Sequence, residues 1–175
     1  YLKVSHNLQL AQGKAVQALR DVDRNFQIGT VLDLTPVHPI SDAEKDRKAA
    51  DNLDEFLIRW YIDPLFKGAY PPLARKMGLK PDQQDLDLIK QPLNFLGVNY
   101  YTRYLATHDP SNPILSHTEA RAVKKRAPTS EMGGEIYPDG LYEALTRLHK
   151  GYGNPTLYLT EDGGAFGQSE AQEGS

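Results

Sequence analysis

Three short apolar segments, separated by much longer stretches with helical character, set the strongest limit on how this chain can fold. They are residues 26–34, 93–99 and 156–160, and each is bounded by proline, glycine or polar residues. Short, nearly continuous apolar runs are typical of strands that are buried on both faces of a parallel sheet. Parallel strands need long crossover connections, which the intervening stretches can supply as helices. The sequence therefore predicts an α/β fold with a parallel sheet.

The long stretches carry the apolar spacing of amphipathic helices. A helix is predicted over residues 5–20, with Gln9 on its solvent side and these residues facing the core: Leu8, Ala11, Ala15, Ala18 and Leu19. Residues 41–44 fit a capping box, so a second helix should follow, bury Trp60 and end near Pro64. A third helix is predicted to start at Pro138, with an inner stripe of Leu141, Ala144, Leu145 and Leu148.

One leading helix and three strand units fit an arc of a (β/α)₈ barrel but are too few to close one. The alternative is an open doubly wound sheet, which is disfavoured because no glycine-rich phosphate loop follows any of the strands. We therefore interpret residues 1–175 as one unit of a partial barrel. Helical character begins at Leu2, directly after a tyrosine rather than a methionine, so we expect further sequence upstream.

Composition excludes several classes of function. A net charge of −3 gives no general attraction for nucleic acid, and no apolar run is long enough to span a membrane. The chain has no cysteine, and its five histidines lack zinc-binding spacing, so we expect no metal and no cofactor. We interpret the basic residues Arg121, Lys124, Lys125 and Arg126 as a solvated face or as protection for an edge strand. With no charged and apolar leader at its start, the chain is expected to be cytoplasmic.

Polar residues collect where the three predicted strands end. They are Asp33 after the first strand, Asn99, Tyr100, Tyr101 and Arg103 at the second, and Glu161 and Asp162 at the third. The carboxyl ends of parallel strands share one edge, which is where the active residues of barrel enzymes lie. A carboxylate framed by tyrosine and asparagine suits sugar chemistry, because it can attack an anomeric carbon while the others hold it and the sugar. By spacing alone this is suggestive only, because carboxylates at strand ends such as Glu161 are also common as helix caps and loop ion-pair partners.

Six segments of the chain, in order, closely resemble family 1 glycoside hydrolases, most of which are β-glucosidases. They are HNLQLAQGKAVQALR (residues 6–20), IGTVLDLTPVHP (28–39), RWYIDPLFKGAYP (59–71), FLGVNYYTR (95–103), EIYPDGLYEALTRLH (135–149) and LYLTEDGGAF (157–166). The resemblance spans essentially the whole chain. Its most specific parts are the Asn-Tyr-Tyr and Thr-Glu blocks at their strand ends.

The resemblance implies a (β/α)₈ barrel that hydrolyses β-glycosides with retention, of which this chain would run from the helix after strand four to the loop after strand seven. It implies that Glu161 is the nucleophile, that Tyr101 donates a hydrogen bond to it, and that Asn99 lies near the bound sugar. Retention also needs a second carboxyl group roughly 5 Å away. In the family that acid/base lies in an Asn-Glu-Pro motif, which this sequence lacks. We therefore expect the chain alone to be inactive, and to associate with the missing barrel half or with itself.

Three positions depart from the family pattern. Asp162 and Asp33 stand where asparagine is usual, and Gly134 stands where tryptophan is frequent. Asp162 would oppose the ionisation of Glu161, unless it turns away or is paired. Gly134 would remove a stacking surface from the leaving-group part of the cleft. These departures keep open a non-catalytic, glycosidase-like carbohydrate-binding or scaffold protein. An upstream Asn-Glu-Pro motif would favour the enzyme, and glutamine in place of that glutamate would indicate a thioglucosidase-like variant.

Overall fold

A computed structural model describes residues 1–112 and 127–166 of the chain. The elements, in chain order, are α1 (Leu2–Val22), β1 (Gly29–Asp33), β2 (Val37–Pro39), α2 (Glu44–Asp54), a π-helical turn (Glu55–Arg59), α3 (Trp60–Lys67), α4 (Pro72–Lys76), α5 (Gln83–Ile89), β3 (Phe95–Tyr100), β4 (Tyr104–Ala106), α6 (Asp139–Gly151) and β5 (Leu157–Asp162). Among the helices of these residues, none has the length and hydropathy to cross a bilayer. The basic residues from Arg121 to Arg126 and His117 lie outside the described residues.

The main sheet has three parallel strands in the order β1-β3-β5, which confirms the predicted parallel sheet. Strand β1 begins three residues later than predicted, at Gly29, and β5 continues past Thr160 to Asp162. A second, two-stranded parallel sheet pairs β2 with β4. It is not predicted from the sequence, because each of these strands has only three residues.

The core lies on one face of the main sheet. There, residues of β3, the π-helical turn, α3 and α6 pack together with residues that follow β1 and α6. They are Leu34, Ile58, Ile62, Leu96, Val98, Ala144, Leu148 and Tyr152. Trp60 is fully buried, as predicted, and α6 buries Ala144 and Leu148 of its predicted stripe. The opposite face is open, and Val31 is 48% exposed on β1. The prediction that the first strand is buried on both faces is therefore wrong for the described residues.

Helix α1 is present as predicted, but the prediction of its buried face is wrong. Leu8 is 63% exposed, and Leu19 is exposed as well. The buried residues are Ser5, His6, Gln9, Gly13 and Val16. Gly13 allows the close approach of α5, because a Cβ there would lie 2.1 Å from the Leu88 carbonyl oxygen. The polar residues of this face make hydrogen bonds inside the fold, which lowers the cost of burying them. For example, Asp85 lies 3.0 Å from His6 Nε2.

The predicted capping box at the start of α2 is wrong, since the Ser41 hydroxyl donates to Asp46 instead and Ala43 takes the N-cap position. The predicted helix end at Pro64 is also wrong. Helix α3 runs through Pro64 to Lys67 and ends at Gly68, which adopts a left-handed conformation with φ of 67°. Pro64 has no N–H to donate to the Trp60 carbonyl. The buried Gln9 side chain donates to that oxygen instead, at 3.1 Å, so a residue of α1 satisfies the group that proline leaves free.

Candidate active site

The strand ends that carry the predicted site residues do share one edge of the main sheet. Asp33 on β1 is opposite Asn99 on β3, and Asn99 is opposite Glu161 on β5. The register between β3 and β5 shifts by one residue after Val98, so that Thr160 is an extra residue on β5. Such a bulge reverses the alternation of side chains along the strand. Glu161 therefore faces the same side of the sheet as Asn99 and Asp33.

Two side-chain hydrogen bonds join the ends of β3 and β5. The Tyr101 hydroxyl donates to Glu161 Oε2, which is the contact that the family resemblance implies. Beside it, the Thr160 hydroxyl donates to Asn99 Oδ1 at 2.6 Å. Tyr101 is 42% exposed and Glu161 is exposed, so both can be reached from the open side of the sheet. The arrangement presents an ionisable carboxylate, oriented by a phenol, next to an amide.

The three positions that depart from the family pattern have distinct surroundings. The Asp33 carboxylate accepts a hydrogen bond from the Thr35 hydroxyl at 2.7 Å, so it has a local partner. Asp162 is opposite Tyr100 and follows Glu161 directly on the strand, so the two carboxylates point to opposite faces. Gly134 has space for a side chain, because a Cβ there would come no closer than 3.5 Å to Thr102.

The pKa of Tyr100, on the buried side of this edge, is shifted by its surroundings. Burial raises the pKa of Tyr100 to about 12, with further contributions from the negative charges of Glu143 and Asp162. Its hydroxyl donates to the Tyr137 carbonyl oxygen. Asp162 therefore acts on the buried side of the sheet, where the next helix packs.

Sequence reasoning missed the residues that hold the segment after Tyr101. Arg103 was identified as a strand-end residue, and its guanidinium forms a two-point ion pair with Glu135, at 2.8 and 2.9 Å. The Glu135 carboxylate raises the pKa of Arg103. His38 Nδ1 lies 3.0 Å from the Arg103 Nη1 atom. Because Glu135 and His38 are 32 and 65 residues from Arg103, no spacing pattern could have associated them.

A cavity of about 170 Å³ lies away from Glu161, which is not among its lining residues. It is formed between the end of β1, the helices α2 and α3 and the helix α6. Its lining includes the apolar residues Leu34, Ile58 and Leu148, and polar residues such as His38 and Arg147. The candidate site itself is an open surface along the sheet edge.

The chain is similar to known proteins in both sequence and structure. The family model described as glycosyl hydrolase family 1 matches residues 1–174. β-Glucosidase A of Acetivibrio thermocellus is 37% identical over 171 residues, which are 94% of this chain and 38% of that protein. A solved β-glucosidase from Exiguobacterium marinum superposes with a TM-score of 0.81 at 30% identity, covering 93% of this chain and 38% of that one. The family 1 β-glucosidase from Thermotoga maritima gives a TM-score of 0.81 at 31% identity, covering 93% and 37%. The chain therefore spans a little over a third of the length of these relatives.

Proposed function

Because the chain belongs to glycosyl hydrolase family 1, whose solved relatives are (β/α)₈ barrel β-glucosidases, we propose that it is part of a retaining β-glycosidase. The substrate class is a β-linked glucoside or a related β-glycoside. The observation that supports this function best is the hydrogen bond from Tyr101 to Glu161 on the open side of the sheet edge. A carboxylate held in this way, with an amide beside it, can both attack and bind a sugar.

In the proposed mechanism, Glu161 attacks the anomeric carbon and the bond to the leaving group breaks, which gives a covalent glycosyl-enzyme. The Tyr101 hydroxyl orients the carboxylate, since its donated hydrogen bond fixes one of the two oxygens. Asn99, with its oxygen held by Thr160, presents its amide nitrogen to a sugar hydroxyl. Water then gives a proton to the acid/base and attacks the same carbon from the face that the leaving group vacated. The bond between that carbon and Glu161 breaks, and the product retains its configuration.

The second carboxyl group must come from another part of the barrel. We propose that this chain covers the region from the helix after strand four to the loop after strand seven, and that the acid/base lies on the strand end that precedes it. The proposal is supported by the three consecutive parallel strands that follow one helix. The chain alone should then be inactive and should associate with the rest of the barrel or with itself. The lack of cysteine favours a cytoplasmic location.

The test is chemical rescue of Glu161→Ala in the protein that carries the complete barrel. Hydrolysis of an aryl β-glucoside should fall by several orders of magnitude, because no glycosyl-enzyme can form. Added azide should restore turnover by attacking from the vacated side, and the glycosyl azide should have inverted configuration. Asp162→Asn is the matched control on the neighbouring residue, and it should keep wild-type activity or raise it. Undiminished turnover by Glu161→Ala would exclude this nucleophile.

A second function remains in view, namely a non-catalytic carbohydrate-binding or scaffold protein with the same fold. Gly134 favours this second function, because glycine offers no aromatic ring for a sugar to stack on, whereas the family often has tryptophan at this position. The backbone at Gly134 has room for a side chain, so steric crowding does not explain the glycine. A wild-type protein that binds a β-glucoside in calorimetry without hydrolysing it would support this alternative over the enzyme.

A further inference from the structure

The position of Tyr101 is not fixed by the main sheet. Strand β3 ends at Tyr100, and β4 begins only at Tyr104, so Tyr101 lies in a connecting segment without strand hydrogen bonds of its own. Its hydroxyl nevertheless has to meet Glu161 on the neighbouring strand. The segment between these two strands also has side-chain contacts outside the main sheet.

Glu135 contacts both residues that follow Tyr101. Its carboxylate receives Arg103 Nε at 2.8 Å and Arg103 Nη2 at 2.9 Å, and its backbone carbonyl accepts the Thr102 hydroxyl at 2.9 Å. Glu135 is 7% exposed, so the ion pair is largely shielded from water. A two-point pair between a planar guanidinium and a carboxylate fixes orientation as well as distance.

The guanidinium of Arg103 is held on its other sides as well. Its central carbon lies 3.8 Å from the centre of the Tyr137 ring. Its Nη1 atom can only donate, so His38 Nδ1 is the acceptor of their 3.0 Å contact. The His38 proton is then on Nε2, which donates to Glu143 on α6 at 2.8 Å. These contacts connect the segment that contains Tyr101 to helix α6.

The loop that carries Glu135 also reaches the segment after Glu161. The Glu131 backbone N–H donates to the Ala165 carbonyl at 2.9 Å. The same loop therefore contacts the chain just beyond Tyr101 and the chain just beyond Glu161. A displacement of this loop would change the separation of the phenol and the carboxylate.

We propose that Arg103 is a positioning residue of the site: through its ion pair with Glu135 it holds the Tyr101 hydroxyl against Glu161. The proposal rests on the proposed glycosidase function, and it assigns Arg103 no contact with the substrate. Its effect is transmitted only through Tyr101, and this makes it separable from a general contribution to stability.

The test is a double-mutant cycle in the complete enzyme, with activity expressed per folded protein. Arg103→Ala should lower kcat by about 10- to 100-fold, with a smaller change in KM, because a small misplacement of a catalytic group is costly. In a Tyr101→Phe background, which has no hydroxyl to position, Arg103→Ala should have almost no further effect. Arg103→Lys keeps the charge but not the two-point geometry, so its kcat should lie between those of the wild type and Arg103→Ala. This variant also provides the test if the alanine variant does not fold.

Arg147→Ala is the matched control, because Arg147 also pairs with a carboxylate but lies away from the edge. Its effect on kcat should be small, and it should combine with Tyr101→Phe by simple multiplication. Equal effects of Arg103→Ala in both backgrounds, or wild-type kcat in Arg103→Ala, would overturn the proposal. An inactive wild-type enzyme would instead contradict the proposed function. In that case crystal structures still decide the inference, since a Tyr101–Glu161 hydrogen bond that persists in Arg103→Ala would overturn it.

Discussion

At the scale of a single residue, the buried Gln9 side chain supplies a hydrogen bond that helix α3 lacks. Its amide donates to the Trp60 carbonyl at 3.1 Å and to the Tyr70 hydroxyl at 3.0 Å, while Pro64 leaves that carbonyl without its usual helical partner. Gln9→Leu should therefore destabilise the protein by about 1–3 kcal/mol in urea denaturation, because a buried carbonyl loses its donor. Gln17→Leu, on the exposed side of α1, should change stability by less than about 0.5 kcal/mol. Equal effects of the two variants would contradict this role.

The raised pKa of Tyr100 predicts that the protein loses stability at alkaline pH. Its pKa is raised from the usual 10 to about 12 by burial, so the folded state favours the neutral phenol. The neutral Tyr100 phenol therefore stabilises the folded state fully below pH 10. This stabilisation is lost as the pH rises towards about 12, because the phenol then ionises more readily in the unfolded state. Tyr100→Phe should remove this part of the alkaline loss, measured as unfolding free energy against pH. Tyr142→Phe, at a position that is 74% exposed, should leave the pH dependence as it is. An identical alkaline slope in Tyr100→Phe and wild type would rule the contribution out.

At the scale of the elements, Asp54 joins three parts of the helix layer. Located at the end of α2, it accepts from Arg59 of the π-helical turn and from Arg147 of α6, each at 3.0 Å. Its side chain is 17% exposed. Asp54→Ala should cost about 2 kcal/mol of unfolding free energy, since it leaves two shielded arginines without this partner. Asp42→Ala removes only the exposed pair with Arg47 and should cost less than about 0.5 kcal/mol. A loss for Asp54→Ala no larger than that of the control would show that other contacts hold α2 to α6.

At the scale of the whole molecule, the described residues leave apolar surface on α1 and on both outer strands. Leu8, Leu19 and Val22 are exposed on α1, and β1 and β5 each pair with only one strand of the described sheet. Unpaired strand edges and exposed apolar stripes favour association. The 175-residue chain on its own should therefore form oligomers in analytical ultracentrifugation, and a Leu8→Gln, Leu19→Gln double variant should shift it towards the monomer. A monodisperse wild-type monomer with a sharp cooperative melt would contradict this expectation.

The apolar pattern of the sequence determined the three strands of the main sheet and the presence of the helices α1, α2 and α6. It also determined that Asn99 and Glu161 lie at one edge, because strands joined by helical crossovers run parallel and their carboxyl ends coincide. Both features of the fold depend on local periodicity and on connection length, which are properties of the sequence itself. The contact between Tyr101 and Glu161 followed from the same edge together with the family resemblance.

Tertiary structure alone decided which face of α1 is buried, how the chain continues past Pro64 and which way Glu161 points. A helical period shows which residues share a face, but the core selects the face by the partners that it offers, and here Trp60 and Tyr70 offered hydrogen bonds to Gln9. The direction of Glu161 depends on one extra residue at Thr160, which only the pairing of β5 with β3 can reveal. Periodicity is a property of neighbours in sequence, whereas burial and register are set by residues far apart along the chain.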